Sequence, residues 1–185
     1  MKKLSFYVFL ILLFCGNTIA DSKDRDVKLN QLFEQLKKSN NTSIALEIEM
    51  KIWNIWSTHP TQEKLTQSLA KGSDLMSKGE LETAYKIFST IIDSAPDWAE
   101  GWNKRATVLY LMGRYHDSLN DIDEVLKQES RHFGALSGQG LVQIKLGNYE
   151  KAIKSYQAVQ KIYPSIGAAK IMILQLRKLI KDQVI

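Results

Sequence analysis

Three kinds of residue in this chain of 185 could do chemistry: three histidines, a run of carboxylates, and a small set of amide, ammonium and glycine groups. His59, His116 and His132 have no ligand spacing and no cysteine beside them, so they do not read as a metal site. His132 next to Arg131 has the charge to hold an anion, but its place between two patterned segments reads as a loop. Asp117, Asp121, Asp123 and Glu124 form an acidic run. Paired carboxylates do acid–base work only in an enclosed site, and at this helical spacing they read as a solvated face. No glycine loop of the phosphate-binding kind is present. No catalytic residue, metal or cofactor is therefore predicted, and the chain does not read as an enzyme.

What the remaining polar groups could do depends on the elements that carry them. The segment Asp97 to Gly113, D-W-A-E-G-W-N-K-R-A-T-V-L-Y-L-M-G, reads as one helix. Asp97 is placed to cap it, with Glu100 completing a capping box. Trp102, Ala106 and Leu109 recur at helical spacing, and Gly113 stops the run. The same outline returns 34 residues earlier and 34 later. Gly79, Gly113 and Gly147 fall in phase, as do Leu81, Tyr115 and Tyr149. So do Gly72, Ala106 and Gly140; Ala84, Ser118 and Ala152; and Phe88, Ile122 and Tyr156. Pro96 and Pro164 close two of the three units, with Ser130 between them. Small residues let paired helices approach, the glycines turn the chain, and the prolines end second helices.

A helix–turn–helix unit of 34 residues with these columns resembles the tetratricopeptide repeat. The likeness covers 65–166 and weakens at Arg105, an apolar place in the family, and at Ser130. It implies an all-α, right-handed solenoid with repeats at 65–98, 99–132 and 133–166. The chain also resembles small exported repeat proteins of alphaproteobacteria, through E-G-W-N-K-R-A-T and R-H-F-G-A-L-S-G, a Trp-rich helical lead and a leader segment. That likeness implies no activity.

Residues 1–20 read as a secretory signal peptide. Lys2 and Lys3 precede the apolar run Leu4 to Phe14, and Thr18-Ile19-Ala20 suits cleavage before Asp21. The expectation is export, with a periplasmic location; an uncleaved anchor is the alternative. Phe14 argues against lipidation at Cys15, the only cysteine, so the mature chain has no thiol chemistry. Loss of Lys2 and Lys3 takes Lys+Arg from 25 to 23 against 20 Asp+Glu, which lowers the net charge from +5 to +3. That weak basicity does not suggest a nucleic-acid partner. Residues 21–26 read as a flexible lead and 27–64 as a helical hairpin, with Thr42 capping its second helix and Trp53 and Trp56 packed against the next helix. Residues 167–185 read as a capping helix, with Ile171, Leu174 and Leu179 inward and Lys170, Arg177, Lys178 and Lys181 outward.

First helices of such a solenoid line a concave groove. The groove is expected to present Glu100, Asn103, Lys104, Thr107 and Tyr110 from the second repeat. The third contributes Gly134, Ser137, Gly138, Leu141, Ile144 and Lys145, and the first Leu69, Ser73 and Met76. Asn103 and Lys104 suit a peptide backbone or carboxylate, and Gly134 and Gly138 would open a slot for a ligand backbone. The family's carboxylate clamp for chaperone tails is not expected, because Leu69, Ser73, Gly134 and Gly138 stand at its places and only Lys104 fits. The predicted function is a non-catalytic protein-interaction module of the cell envelope, with a peptide or helix in the groove. The alternative is a structural or assembly factor, self-associating or held at the membrane through its N-terminus.

Overall fold

The structure, a computed structural model, describes residues 23–183. The expected signal peptide and Cys15 lie outside the described residues. Nine helices and no strand are present among those described. A hairpin of α1 (23–38) and α2 (Thr42–Ser57) comes first. Three helix pairs follow: α3 (Glu63–Ser77) with α4 (Leu81–Ser94), α5 (Ala99–Leu111) with α6 (Tyr115–Gln128), and α7 (Phe133–Lys145) with α8 (Tyr149–Ile162). The last helix is α9 (Gly167–Gln183). These pairs stack in order, α4 on α5, α6 on α7 and α8 on α9. This is the solenoid the 34-residue period predicts.

Each turn between paired helices uses its glycine as expected. Gly79, Gly113 and Gly147 have φ of 80°, 75° and 74°, a region that costs other residues free energy. Close approach of paired helices follows a volume rule across the repeats. A Cβ on Gly72 would stand 2.6 Å from the Phe88 ring, and one on Gly140 would stand 2.7 Å from the Tyr156 ring. The second repeat has a Cβ there, on Ala106, and correspondingly a smaller partner, Ile122, in the same buried cluster. Ser118 adds a buried hydrogen bond to the Ala106 carbonyl at 2.8 Å.

Arg105 has a structural reason to break the family pattern. Its guanidinium donates to both Asp121 oxygens at 2.7 and 2.8 Å and lies 5.0 Å from the Trp102 ring. Asp121 is buried, so it does not belong to a solvated acidic face. One repeat later the same two positions are Gln139 and Ser155, hydrogen-bonded at 2.8 Å. A polar pair thus substitutes for an apolar one in two successive units.

Several local expectations are corrected. The flexible lead is helical from residue 23, and Arg25 donates to the Ile55 and Thr58 carbonyls. Asn41, not Thr42, caps α2, accepting from the Ser43 and Ile44 amides. Asp97 does not cap α5: Trp98 holds the cap position and no side-chain cap bond forms. On α9 the buried residues are Ala169, Ile173 and Leu176, while Ile171 and Leu174 are 55% and 58% exposed. This helix is apolar on more than one face, so periodicity alone admits two orientations.

The volume rule predicts compensation between columns. Gly72→Ala should lower unfolding free energy by about 1 kcal/mol, overpacking strain of ~1–3 kcal/mol outweighing a helix-propensity gain of ~1. Adding Phe88→Ile, which copies the Ala106–Ile122 pair, should recover most of the loss in a urea titration. An unrecovered double variant would show that the columns are not interchangeable.

Candidate functional site

The first helices α3, α5 and α7 carry the predicted groove residues, and the structure divides these residues lengthwise. Columns near the helix starts contain Glu100 and Gly134, then Asn103 and Ser137, then Lys104 and Gly138. Columns further along contain Ser73, Thr107 and Leu141, then Met76, Tyr110 and Ile144. The chain's own N-terminal hairpin covers the starts of α5 and α7, and the later columns remain accessible.

The hairpin does not cap the first repeat. Helix α2 packs against α5 more closely than against its sequence neighbour α3. Trp53 and Trp56 are core-facing, as expected of aromatic residues on an apolar stripe, but their partners His132, Phe133 and Gly134 lie 76 to 81 residues further on. Trp53 fills the slot left by Gly134, where a Cβ would stand 2.5 Å from the indole. Trp56 lies flat on the His132 ring, with centroids 3.9 Å apart and planes at 10°. Phe33 of α1 meets Phe133 edge-on at 6.4 Å, and Arg131 stacks on Phe33 at 4.3 Å while donating to Asn30 at 2.7 Å. Glu49 accepts from Trp53 Nε1 and from the Tyr163 hydroxyl, tying α2 to the end of α8. Burial, with that bond to Glu49, pushes the Tyr163 phenol up to about 12.

Beneath Trp56 lies a buried polar cluster. Glu100 is 1% exposed and so is not an open groove residue, while His132 lies in the loop between α6 and α7, as expected, but is 0% exposed. Glu100 Oε2 accepts from Asn103 Nδ2 at 3.1 Å and lies 3.1 Å from His132 Nε2. His132 Nδ1 accepts from the Ala135 amide at 3.0 Å and so caps α7. That leaves Nε2 as the donor to Glu100, a tautomer assigned from the hydrogen bonds. Glu100 Oε1 is 3.2 Å from Lys104 Nζ, an ion pair whose angle makes no directed hydrogen bond. Burial opposes ionisation of Glu100; the His132 bond and the Lys104 ammonium outweigh it and hold the carboxyl below the usual range. The first turn of α5 adds a favourable dipole for that charge. Lys104 also lies 5.8 Å from the Trp53 ring.

Several predicted contacts are therefore reassigned. Asn103 and Lys104 serve Glu100, not an open carboxylate site. Gly134 does open a slot, and Trp53 of the same chain occupies it. Gly138 is half-buried, and a Cβ there would meet only Ile122 Cδ1, 3.8 Å away on α6. Ser137 returns its hydroxyl to the Phe133 carbonyl at 2.7 Å. Thr107 is exposed, Leu141 is 41% exposed, and Tyr110 and Ile144 are half-buried. A second cleft, of about 460 Å³, opens where the hairpin, its linker and the start of α5 meet, with Trp56, His59, Trp98 and Glu100 in its wall. His59 caps the linker turn through Nδ1, which accepts from the Thr61 and Gln62 amides. Burial, aided by Arg25 and opposed by Asp97, lowers the His59 pKa. Among the described residues no group of three or more His, Cys, Asp or Glu is arranged to hold a metal ion.

Glu100 gives a signed acid dependence. Its depressed folded pKa means the stabilisation is fully present above about 4.5, its usual value, and is lost as pH falls through the lower folded value. Glu100→Gln should cost about 2 kcal/mol at pH 7, the scale of a hydrogen bond to a charged group. It should also flatten the decline in stability between pH 5 and 3, measured by urea unfolding. An unchanged slope would mean that the Glu100 pKa is the same in the folded and unfolded chain.

Comparison with known proteins agrees with this architecture. The family model described as tetratricopeptide repeat matches residues 103–165. A repeat-containing protein of Rhizobium etli is 37% identical over 147 residues, covering 77% of this chain and 70% of that protein. Mouse tetratricopeptide repeat protein 12 is 30% identical over 98 residues, and the match spans 53% of this chain but 14% of that longer protein. Among solved structures, the first repeat domain of RPAP3 bound to a HSP90 peptide superposes with a TM-score of 0.61 at 18% identity, covering 64% of this chain and 94% of that one. At that identity the likeness is one of fold. The 34-residue columns, the stacked helix pairs and the Rhizobium relative together establish that this chain belongs to the tetratricopeptide-repeat family.

Proposed function

We propose that the protein is a non-catalytic interaction module that holds an extended peptide or a helix along the open half of its first helices. One observation carries this reading. Two in-phase columns, Ser73–Thr107–Leu141 and Met76–Tyr110–Ile144, run across three successive repeats, with Thr107 and Leu141 exposed and the other four half-buried. Their chemistry is mainly apolar, with Met76, Tyr110, Leu141 and Ile144 beside two hydroxyls that donate within their own helices, Ser73 to the Leu69 carbonyl and Thr107 to the Asn103 carbonyl, and keep an oxygen able to accept. Such a strip suits a partner that alternates apolar side chains with backbone polar groups. The RPAP3 domain, bound to a HSP90 peptide, supports peptide binding as a use of this fold. The family's lysine and asparagine clamp is not the means here, since Lys104 and Asn103 are committed to Glu100.

The reading extends to location. The leader-like segment 1–20 supports export and a role in the cell envelope, with the mature chain beginning at Asp21. No described helix is long and apolar enough to cross a membrane. N-terminal sequencing of the protein recovered from a periplasmic fraction should begin at Asp21. Recovery of the intact leader in membranes would favour the anchored assembly factor instead.

The groove is tested by a photo-crosslinking residue at Leu141, with Met50 on the outer face of α2 as control. The Leu141 probe should capture a discrete protein from native envelopes. Tyr110→Ala should reduce that capture about tenfold, the loss of one apolar anchor worth ~1.4 kcal/mol. Equal capture from both positions would overturn the groove assignment.

A further inference from the structure

The terminal helix α9 has an apolar and basic face that the fold leaves unused. Ala169, Ile173 and Leu176 bury its inner side, which packs on α8. Ile171 and Leu174 stand on the outer side, more than half exposed. An α-helix turns about 100° per residue, which sets Arg177, Lys170, Lys181, Leu174, Lys178 and Ile171 side by side across an arc of about 120°. All six are exposed. None of the four cations forms an ion pair among the described residues. Asp182 is the one acid on this helix, and its place is at the edge of the arc. Residues 21–185 carry a net charge of +3, and the four cations and one acid of α9 account for all of it. The rest of that stretch is electrically balanced, so the charge asymmetry of the chain sits on one helix face.

We propose that this face of α9 docks the protein reversibly on a membrane surface of anionic phospholipid. Ile171 and Leu174 enter the boundary between headgroups and acyl chains. The long stems of the lysines and Arg177 lie along that boundary and carry their charges out to the lipid phosphates. An acidic protein is the poorer fit. Lysine is depleted at the cores of protein interfaces, yet three of the six residues here are lysine. Six residues on one helix face also fall well short of the roughly 20–30 per side of a stable protein interface. A lipid surface needs no such area, because it accepts lysine and apolar side chains from a single helix. The proposal takes from the envelope reading only where such a membrane is met. It involves none of the groove helices α3, α5 and α7.

Residues 21–185 contain every described helix and no cysteine, so one introduced thiol labels one site. Leaving out 1–20 removes an apolar run that would itself bind lipid. Leu174→Cys carrying a polarity-sensitive dye should shift to the blue on vesicles of phosphatidylcholine mixed with phosphatidylglycerol. It should not shift on phosphatidylcholine alone, and neither should the same dye on Met50→Cys, an exposed place on α2. Co-sedimentation with the mixed vesicles should weaken about thirtyfold in Lys178→Gln/Lys181→Gln, roughly fivefold for each cation. Ile171→Ser should weaken it as well. Lys64→Gln/Lys71→Gln, which neutralises two exposed lysines of α3, should leave it unchanged. Equal losses from the two lysine pairs, or equal shifts at the two dye positions, overturn the proposal, because attraction would then be diffuse. Failure to sediment with the mixed vesicles overturns it too and leaves the groove reading standing if capture from Leu141 persists. Should Lys178→Gln/Lys181→Gln melt earlier than the unmodified chain, the dye comparison, made with both lysines in place, decides.

Discussion

The hydrogen bond between His132 and the Glu100 carboxylate is the interaction on which the arrangement of this molecule depends. It joins the first turn of α5 to the cap of α7 in a fully buried position. The other ring nitrogen of His132 starts α7, and the face of the ring receives Trp56. One side chain therefore sets helix start, repeat spacing and hairpin position together. A buried carboxylate is tolerable only while its charge is matched, which is the task of Asn103 and Lys104. Removing any member leaves the others desolvated and unpaired, so these residues act as a unit.

The Glu100 cluster also explains why the hairpin lies where it does. A capping hairpin placed by sequence order would cover the first repeat. The first repeat has Thr66 where the others have Glu100 and Gly134, and it has no counterpart of the His132 platform. The second and third repeats together form a slot, a flat aromatic face and a cation, and the hairpin's Trp53, Trp56 and Phe33 match those features. Degenerate positions of the repeat are thus the ones that recruit the non-repeat part of the chain. Arg105 and Asp121 show the same logic inside the solenoid, where a departure from the apolar consensus is answered by its own partner sixteen residues on.

Repeat number, helix order and turn positions were legible in the sequence because they depend on local rules of spacing, small residues and glycine conformation. The inward orientation of Trp53 and Trp56 was legible for the same reason. Sequence periodicity did not separate the two halves of the predicted groove. Thr107, Tyr110, Leu141 and Ile144 fell on the open strip, whereas Glu100, Asn103 and Gly134 were assigned to a surface that the chain itself covers. A signal was available: a glycine and a carboxylate at helix starts, with an adjacent histidine, beside a hairpin rich in tryptophan. No spacing rule links residues 53 and 134, so sequence periodicity could not join them.

By itself, the sequence determined an all-helical chain of three 34-residue units with a helical lead and a terminal helix. Each of those features is encoded within a few turns of helix. Tertiary structure alone decided which apolar face of α9 turns inward, that Asp121 is buried by Arg105, and that the hairpin seats on α5 and α7. These outcomes depend on burying matched shapes and charges that are remote in sequence. Such matches exist only once the solenoid has stacked and set Glu100, His132 and Gly134 side by side.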